Sequence, residues 1–185
     1  MKNINKSLDN YAKELNNHQL LEYEYLPDIE LYMEQMTMFL DRLFALYKVS
    51  SDEPLITSAM VNNYVRGQVI DKPNLKKYNK EHLSKIIEIA ILKQMLEIDD
   101  IKELLDTKYV KKKYGQAYNN FANRFNDELQ AETKKMRQSL KKVEDNDLKG
   151  IYEIATEFAI KGAICSMISK RIFNYIHIYQ DTKDL

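Results

Sequence analysis

The residue types most able to engage a ligand cluster between residues 57 and 80. Ser58, Asn62 and Arg66 recur every four residues with Asn63 beside them, and Lys72, Lys76 and Lys77 follow closely. On a helix starting near Thr57, these polar side chains share one side and Met60, Val61 and Val65 take the other. A carboxamide can pair bidentately with adenine and a guanidinium with guanine. The hydroxyls of Thr57, Ser58, Tyr64 and Tyr78 and the three lysines suit phosphate oxygens. The chemistry implied is recognition of double-stranded DNA, with no bond made or broken.

Other chemistries find little support. His18, His82 and His177 are far apart, and none has a second histidine or cysteine at ligand spacing, so no metal or other cofactor is expected. Asp99 and Asp100 open a helix, where acidic residues suit the dipole. The glycines at 67, 115, 150 and 162 are single, so no phosphate-cradling loop is present. Cys165, in AICSMIS, reads as a small buried apolar residue of a helix, and one cysteine in the chain points to a reducing cytoplasm. No serine or cysteine triad is recognisable, and the chain reads as no enzyme.

The elements that must hold residues 57 to 80 follow from composition and periodicity. With 185 residues, 44% of them hydrophobic, and only 4 glycines and 3 prolines, turns are scarce and the expected class is all-α. Ile29, Met33, Met36, Phe39, Leu40, Leu43, Phe44 and Tyr47 mark one face of a helix from Pro27 to Lys48, broken by SSDEP. A short helix from Thr57 to Arg66 ends at Gly67. Val69 and Ile70 return to the core, Pro73 and Asn74 form a tip, and Asn79 caps a helix from Lys80 to Leu96. Another helix opens at Asp99, and KYVKKKYG is a basic turn or helix start. Tyr118, Phe121, Phe125, Leu129, Met136, Leu140 and Val143 form a thin seam suited to packing on another helix, in the same chain or a second copy. The segment 151–178 is apolar nearly all round and is expected to be the most buried helix of the C-terminal part. Glu153, Glu157 and Lys161 interrupt it every four residues, which excludes a bilayer span. The division expected is an N-terminal arm over 1–26, a reader domain over 27–107 and a helical dimerisation or effector region over 108–185.

Charge is unevenly placed on a chain of zero formal net charge. Residues 22–53 are acidic, and the basic excess lies on residues 57–80.

The segment TSAMVNNYVRGQVIDKPNLKKYNKEHLSKIIEIAILKQMLEIDDIKELL resembles the DNA-binding domain of MerR-family transcriptional regulators. It is more similar still to an uncharacterised bacterial family, a domain of unknown function related to MerR. The matching features are the helix carrying Tyr64, a glycine turn before Val69 and Ile70, a short wing ending at Tyr78, the capped helix from Asn79 and the IDDIKELL helix, within residues 26 to 106. Two positions depart from the pattern. Gln68 stands in the usual glycine slot, and Asn62 and Asn63 replace an arginine and tyrosine. The resemblance implies a winged helix-turn-helix, a homodimer on a pseudo-palindromic duplex, and a helix after the domain that helps pairing, for which residues 117–143 are the candidate. Two other readings stand beside it: a helical protein-interaction module with a degenerate DNA-binding fold, and C-terminal helices enclosing a site for an unidentified small-molecule effector.

Overall fold

The computed structural model describes residues 3–48, 53–109 and 113–182. The break expected at residues 50–54 and the basic turn over 108–115 lie partly outside them. The described residues form seven α-helices and a two-stranded antiparallel ribbon, so the chain is mostly helical, as its scarcity of turn residues predicts.

The core is built around α4 (Lys80–Leu92). Its run of Leu83, Ile86, Ile87, Ile89 and Ala90 is buried on nearly all sides, each large aliphatic contributing about 1.5–3 kcal/mol. Asn79 caps it, its side-chain oxygen accepting from the His82 N–H at 3.1 Å. Around it pack α2 (Met33–Leu43), α3 (Ser58–Arg66), α5 (Ile98–Tyr109) and the first half of α6 (Tyr114–Leu140). Helix α2 begins at Met33, later than the expected start at Pro27. Leu31 and Tyr32 are held extended as β1, paired with Tyr78 and Lys77 of β2, and Ile29 is left exposed. Residues 44 to 57 separate α2 from α3, a longer connection than the three- or four-residue turn of a helix-turn-helix.

The first residues are not a loose arm. They form α1 (Ile4–Asn17), which runs antiparallel along the second half of α6. Ala12 and Leu15 are buried, Arg137 Nε donates to Asp9 Oδ1 at 2.7 Å, and the Asn5 amide donates to the carbonyls of Val143 and Glu144. The second half of α6 thus packs on a helix of the same chain, α1, while Phe121 and Phe125 of its first half pack against the core around α4. Segment 18–24 is fastened to the same helix by two asparagines. Asn126 accepts from Leu20 N–H at 2.8 Å and donates to Leu20 O at 3.1 Å, and Asn119 accepts from Tyr23 N–H. This pairing satisfies an extended backbone that has no strand partner.

The expectation for the last helix is reversed. α7 (Leu148–Asp181) turns back along α6, and of its residues only Gly150 is buried. A Cβ at Gly150 would stand 2.6 Å from Val143 Cγ1, so the turn closes only on glycine. Ile151, Ile154, Phe158 and Phe173 are half-buried toward the body. The opposite sides of α7 are left uncovered by the described residues, and Cys165 is exposed with them.

Candidate nucleic-acid interface

Thr57 caps α3, its hydroxyl accepting from the Met60 N–H at 3.2 Å. Val61 and Tyr64 are buried against the core. The side away from them carries Ser58, Asn62, Asn63 and Arg66, all exposed, with Arg66 Nη2 donating to Asn63 Oδ1 at 3.2 Å. These four residues share the outward face that their spacing predicts.

The helix ends in a way that accounts for the misplaced glycine. Gly67 has an ordinary φ of −76°, and Gln68 takes the left-handed conformation at φ 56°. Val69 N–H bonds Tyr64 O at 2.9 Å and Gln68 N–H bonds Val65 O at 3.2 Å. This crossed pair returns Val69 onto Tyr64, and glycine is the usual residue at the left-handed position. The glycine slot is therefore structurally present and glutamine occupies it.

The loop that follows is a small hairpin. Asn74 O accepts from Lys77 N–H at 2.8 Å, and the two central residues, Leu75 and Lys76, both have positive φ, 47° and 64°, the arrangement that suits a two-residue hairpin turn. Lys72 and Lys76 are exposed, and Leu75 stands out at the tip, 83% exposed. Lys77 is half-buried, its ammonium 5.5 Å from the Tyr32 ring centroid.

Two expected contact residues are not available to a ligand. Tyr64 is 6% and Tyr78 3% exposed. Burial pushes both phenols above their ordinary pKa. Tyr78 packs edge-on against His82 with ring centroids 5.5 Å apart. Both tyrosines position the helix and the loop instead of contacting a partner. Their apolar rings satisfied the core, which spacing alone did not separate from a surface role.

Lys102 was not foreseen as part of this surface. It reaches from α5 to donate to Gly67 O at 3.2 Å, placing a cation at the C-terminal end of α3. The only signal for it was its place on the IDDIKELL helix. At the other end of α3, Thr57 and Ser58 share a groove with Glu34, Met38 and Asp41 of α2. Asp41 is paired with Lys48 at 2.7 Å. The basic and amide groups thus lie toward the Arg66 end and the loop, and the acidic ones toward Thr57. Among the described residues no group of histidine, cysteine, aspartate or glutamate side chains could hold a metal ion, and no helix is long and apolar enough to cross a membrane.

A family described as "Domain of unknown function (DUF1836)" matches residues 21–121. The comparisons with curated proteins and with solved structures return no match. The matched segment runs from Leu21, beside the stretch fastened to α6, through α3, the hairpin and α4 to Phe121, and so contains most of the core with the exposed polar face of α3. The chain belongs to the DUF1836 family.

Proposed function

We propose that the protein is a DNA-binding regulator that reads duplex DNA with the outward face of α3 and steadies it with the loop over residues 71–77. The observation that carries this reading is the exposed row of Ser58, Asn62, Asn63 and Arg66 on a helix anchored by Val61 and Tyr64 and closed at both ends. Amides and a guanidinium at one helical face match base edges in a major groove, and Lys72, Lys76 and Lys102 suit the flanking phosphates. The likeness of residues 26–106 to MerR-type readers supports the same assignment.

A mobility-shift selection from a duplex pool at low salt tests it. Arg66→Ala is expected to weaken binding by about 1–3 kcal/mol and relax the preference at one base, while Lys76→Ala lowers affinity for all sequences and reduces the salt slope by about one. Absence of duplex binding at low salt, or unchanged affinity in both variants, rejects the reading. A second reading is favoured by one feature, the groove in which exposed Met38 lies between Glu34 and Asp41 beside the start of α3. A basic protein segment seated there would make the domain an interaction module, and stoichiometric capture of such a partner without DNA affinity would identify it.

The reader acts as a homodimer in this proposal, with α7 as the pairing element. Eleven of the exposed large hydrophobics of the described residues lie on α7, and apolar surface gathered on one element marks an interaction site. One charge pairing favours an antiparallel orientation. Glu153 and Glu157 lie in the first half of the helix, with Lys149 and Lys161, and Lys170 and Arg171 lie in the second with Asp181, so an antiparallel copy can set Glu153 and Glu157 against Lys170 and Arg171. Sedimentation of Met167→Lys is expected to show monomer where the parent shows dimer. A monomeric parent at tens of micromolar removes this part of the proposal.

A further inference from the structure

A cavity of about 630 Å³ lies where α5, α6 and α7 meet. Its walls are apolar, formed by Leu92, Leu104, Phe121, Phe173 and Ile176, and its size falls within the ~300–1,000 Å³ of small-molecule sites. The polar groups at its edge are unequal. Glu103 is already engaged on both oxygens, one by His177 Nε2 at 2.9 Å and the other by the Gln180 amide. Arg124 has no hydrogen-bond or ion-pair partner among the described residues, and Asn120 and Thr107 stand exposed near it at the edge. A guanidinium beside an apolar hollow, with Glu103, the carboxylate of the lining, otherwise occupied, leaves positive charge available at the mouth. Its planar fork matches a carboxylate.

We propose that this cavity binds an amphipathic monocarboxylate, its apolar tail between Phe121, Phe173 and Leu104 and its carboxylate on Arg124. The site also has a route to α3, and this second step rests on the DNA-binding reading above. Glu103, Leu104 and Thr107 of α5 line the cavity, and the adjacent Lys102 holds the Gly67 carbonyl at the end of α3. A ligand that shifts α5 against α7 moves the clamp on the reader helix, so occupancy biases DNA affinity.

Calorimetric titration of the full chain with decanoate below its micelle concentration, beside decanol and decylamine, tests the site. Decanoate is expected to bind one per chain and at least tenfold more tightly than decylamine. Arg124→Gln is expected to lower decanoate affinity at least tenfold and to abolish its advantage over decanol. Asn120→Trp, a change at the exposed rim that spares the core, is expected to block the mouth and remove binding of all three. Equal affinity for decanoate and decylamine, or unchanged decanoate binding in Arg124→Gln, overturns the site. Unchanged binding in Asn120→Trp overturns it also, placing the ligand on the bare face of α7. The regulatory step is read separately by amide exchange at residues 64–70, with and without decanoate, in the parent and in Lys102→Ala. A ligand-dependent change in exchange that Lys102→Ala removes supports the route whether or not DNA binds. Ligand binding with no change there leaves the carboxylate site standing and overturns the coupling.

Discussion

Gln68 holds a backbone conformation that costs an ordinary side chain about 1–2 kcal/mol and glycine almost nothing. Gln68→Gly is therefore expected to raise stability by about 1 kcal/mol, measured as a higher urea midpoint with unchanged slope. His82 sets a pH dependence. Burial, as the largest influence, holds its imidazole below the ordinary pKa, with nearby Asp71 partly opposing and Lys85 reinforcing the shift. Its Nδ1 lies 2.5 Å from Asn79 Oδ1 and 3.2 Å from Asn79 N, donating to the one or accepting from the other according to the ring's tautomer. The unfolded chain takes up the proton more readily, so stability is complete above an unfolded pKa of about 6.5 and falls as pH drops through the interval between it and the lowered folded value. Urea midpoints across that range are expected to decline for the parent and to decline less for His82→Gln. At this scale the polar row of α3 was legible, because spacing of four on an amphipathic helix has one solution. For Tyr64 and Tyr78 the spacing left both places open, since a phenol satisfies a phosphate contact and a core position alike, and the fold buries both.

Among the elements, α6 owes its place to polar side chains that no hydrophobic pattern registers. Its buried residues are Tyr118, Ala122, Asn126, Thr133 and Leu140, a row rotated from the apolar seam because Asn126 points inward to hold Leu20. Replacing Asn126 with Ala strands a buried N–H and a buried carbonyl, and a loss of about 2–3 kcal/mol is expected by chemical denaturation. The N-terminus reads in sequence as a loosely attached helix or arm, and the firmness of its attachment was illegible for the same reason: α1 is held by Asn5, Asp9 and two buried small or aliphatic residues, too few to mark a period. Helix α7 misled in the opposite direction. An all-round apolar sequence predicts a surrounded helix, and the described residues cover only one side of it. Its charges carry a prediction: Arg171→Glu is expected to weaken the dimer at least tenfold, and adding Glu157→Arg in the same chain to restore it, both read by sedimentation equilibrium. Parallel pairing would leave the double variant unrepaired.

For the whole molecule, zero net charge conceals a division that the folded chain preserves. Acidic α2 flanks the beginning of α3, and the lysines gather at its end and on the hairpin. In the proposed DNA-binding role, this division would favour one orientation of a duplex, with the Thr57 end repelled from phosphate. The all-α class was readable from scarce turn residues. The boundary expected at residue 107 was not, because α6 belongs to two bodies: its first half closes the core around α4 and its second half carries α1. Deleting residues 1–17 is accordingly expected to leave α6 bare from about Asn126 onward and to lower the thermal midpoint by several degrees, while α4 keeps its protection in amide exchange.

The clasp between α1 and α6 also governs the order in which the chain is assembled. Its contacts join residues 106 to 142 positions apart in sequence, and loops of that length close late. During synthesis the first helix leaves the ribosome with nothing to dock on until residues near Asn146 have emerged. By then α2 to α5 are already exposed to one another and can pack. Helix α1 is thus made well before its partner and is among the last elements to find its place, so a nascent-chain holdase would have long access to it.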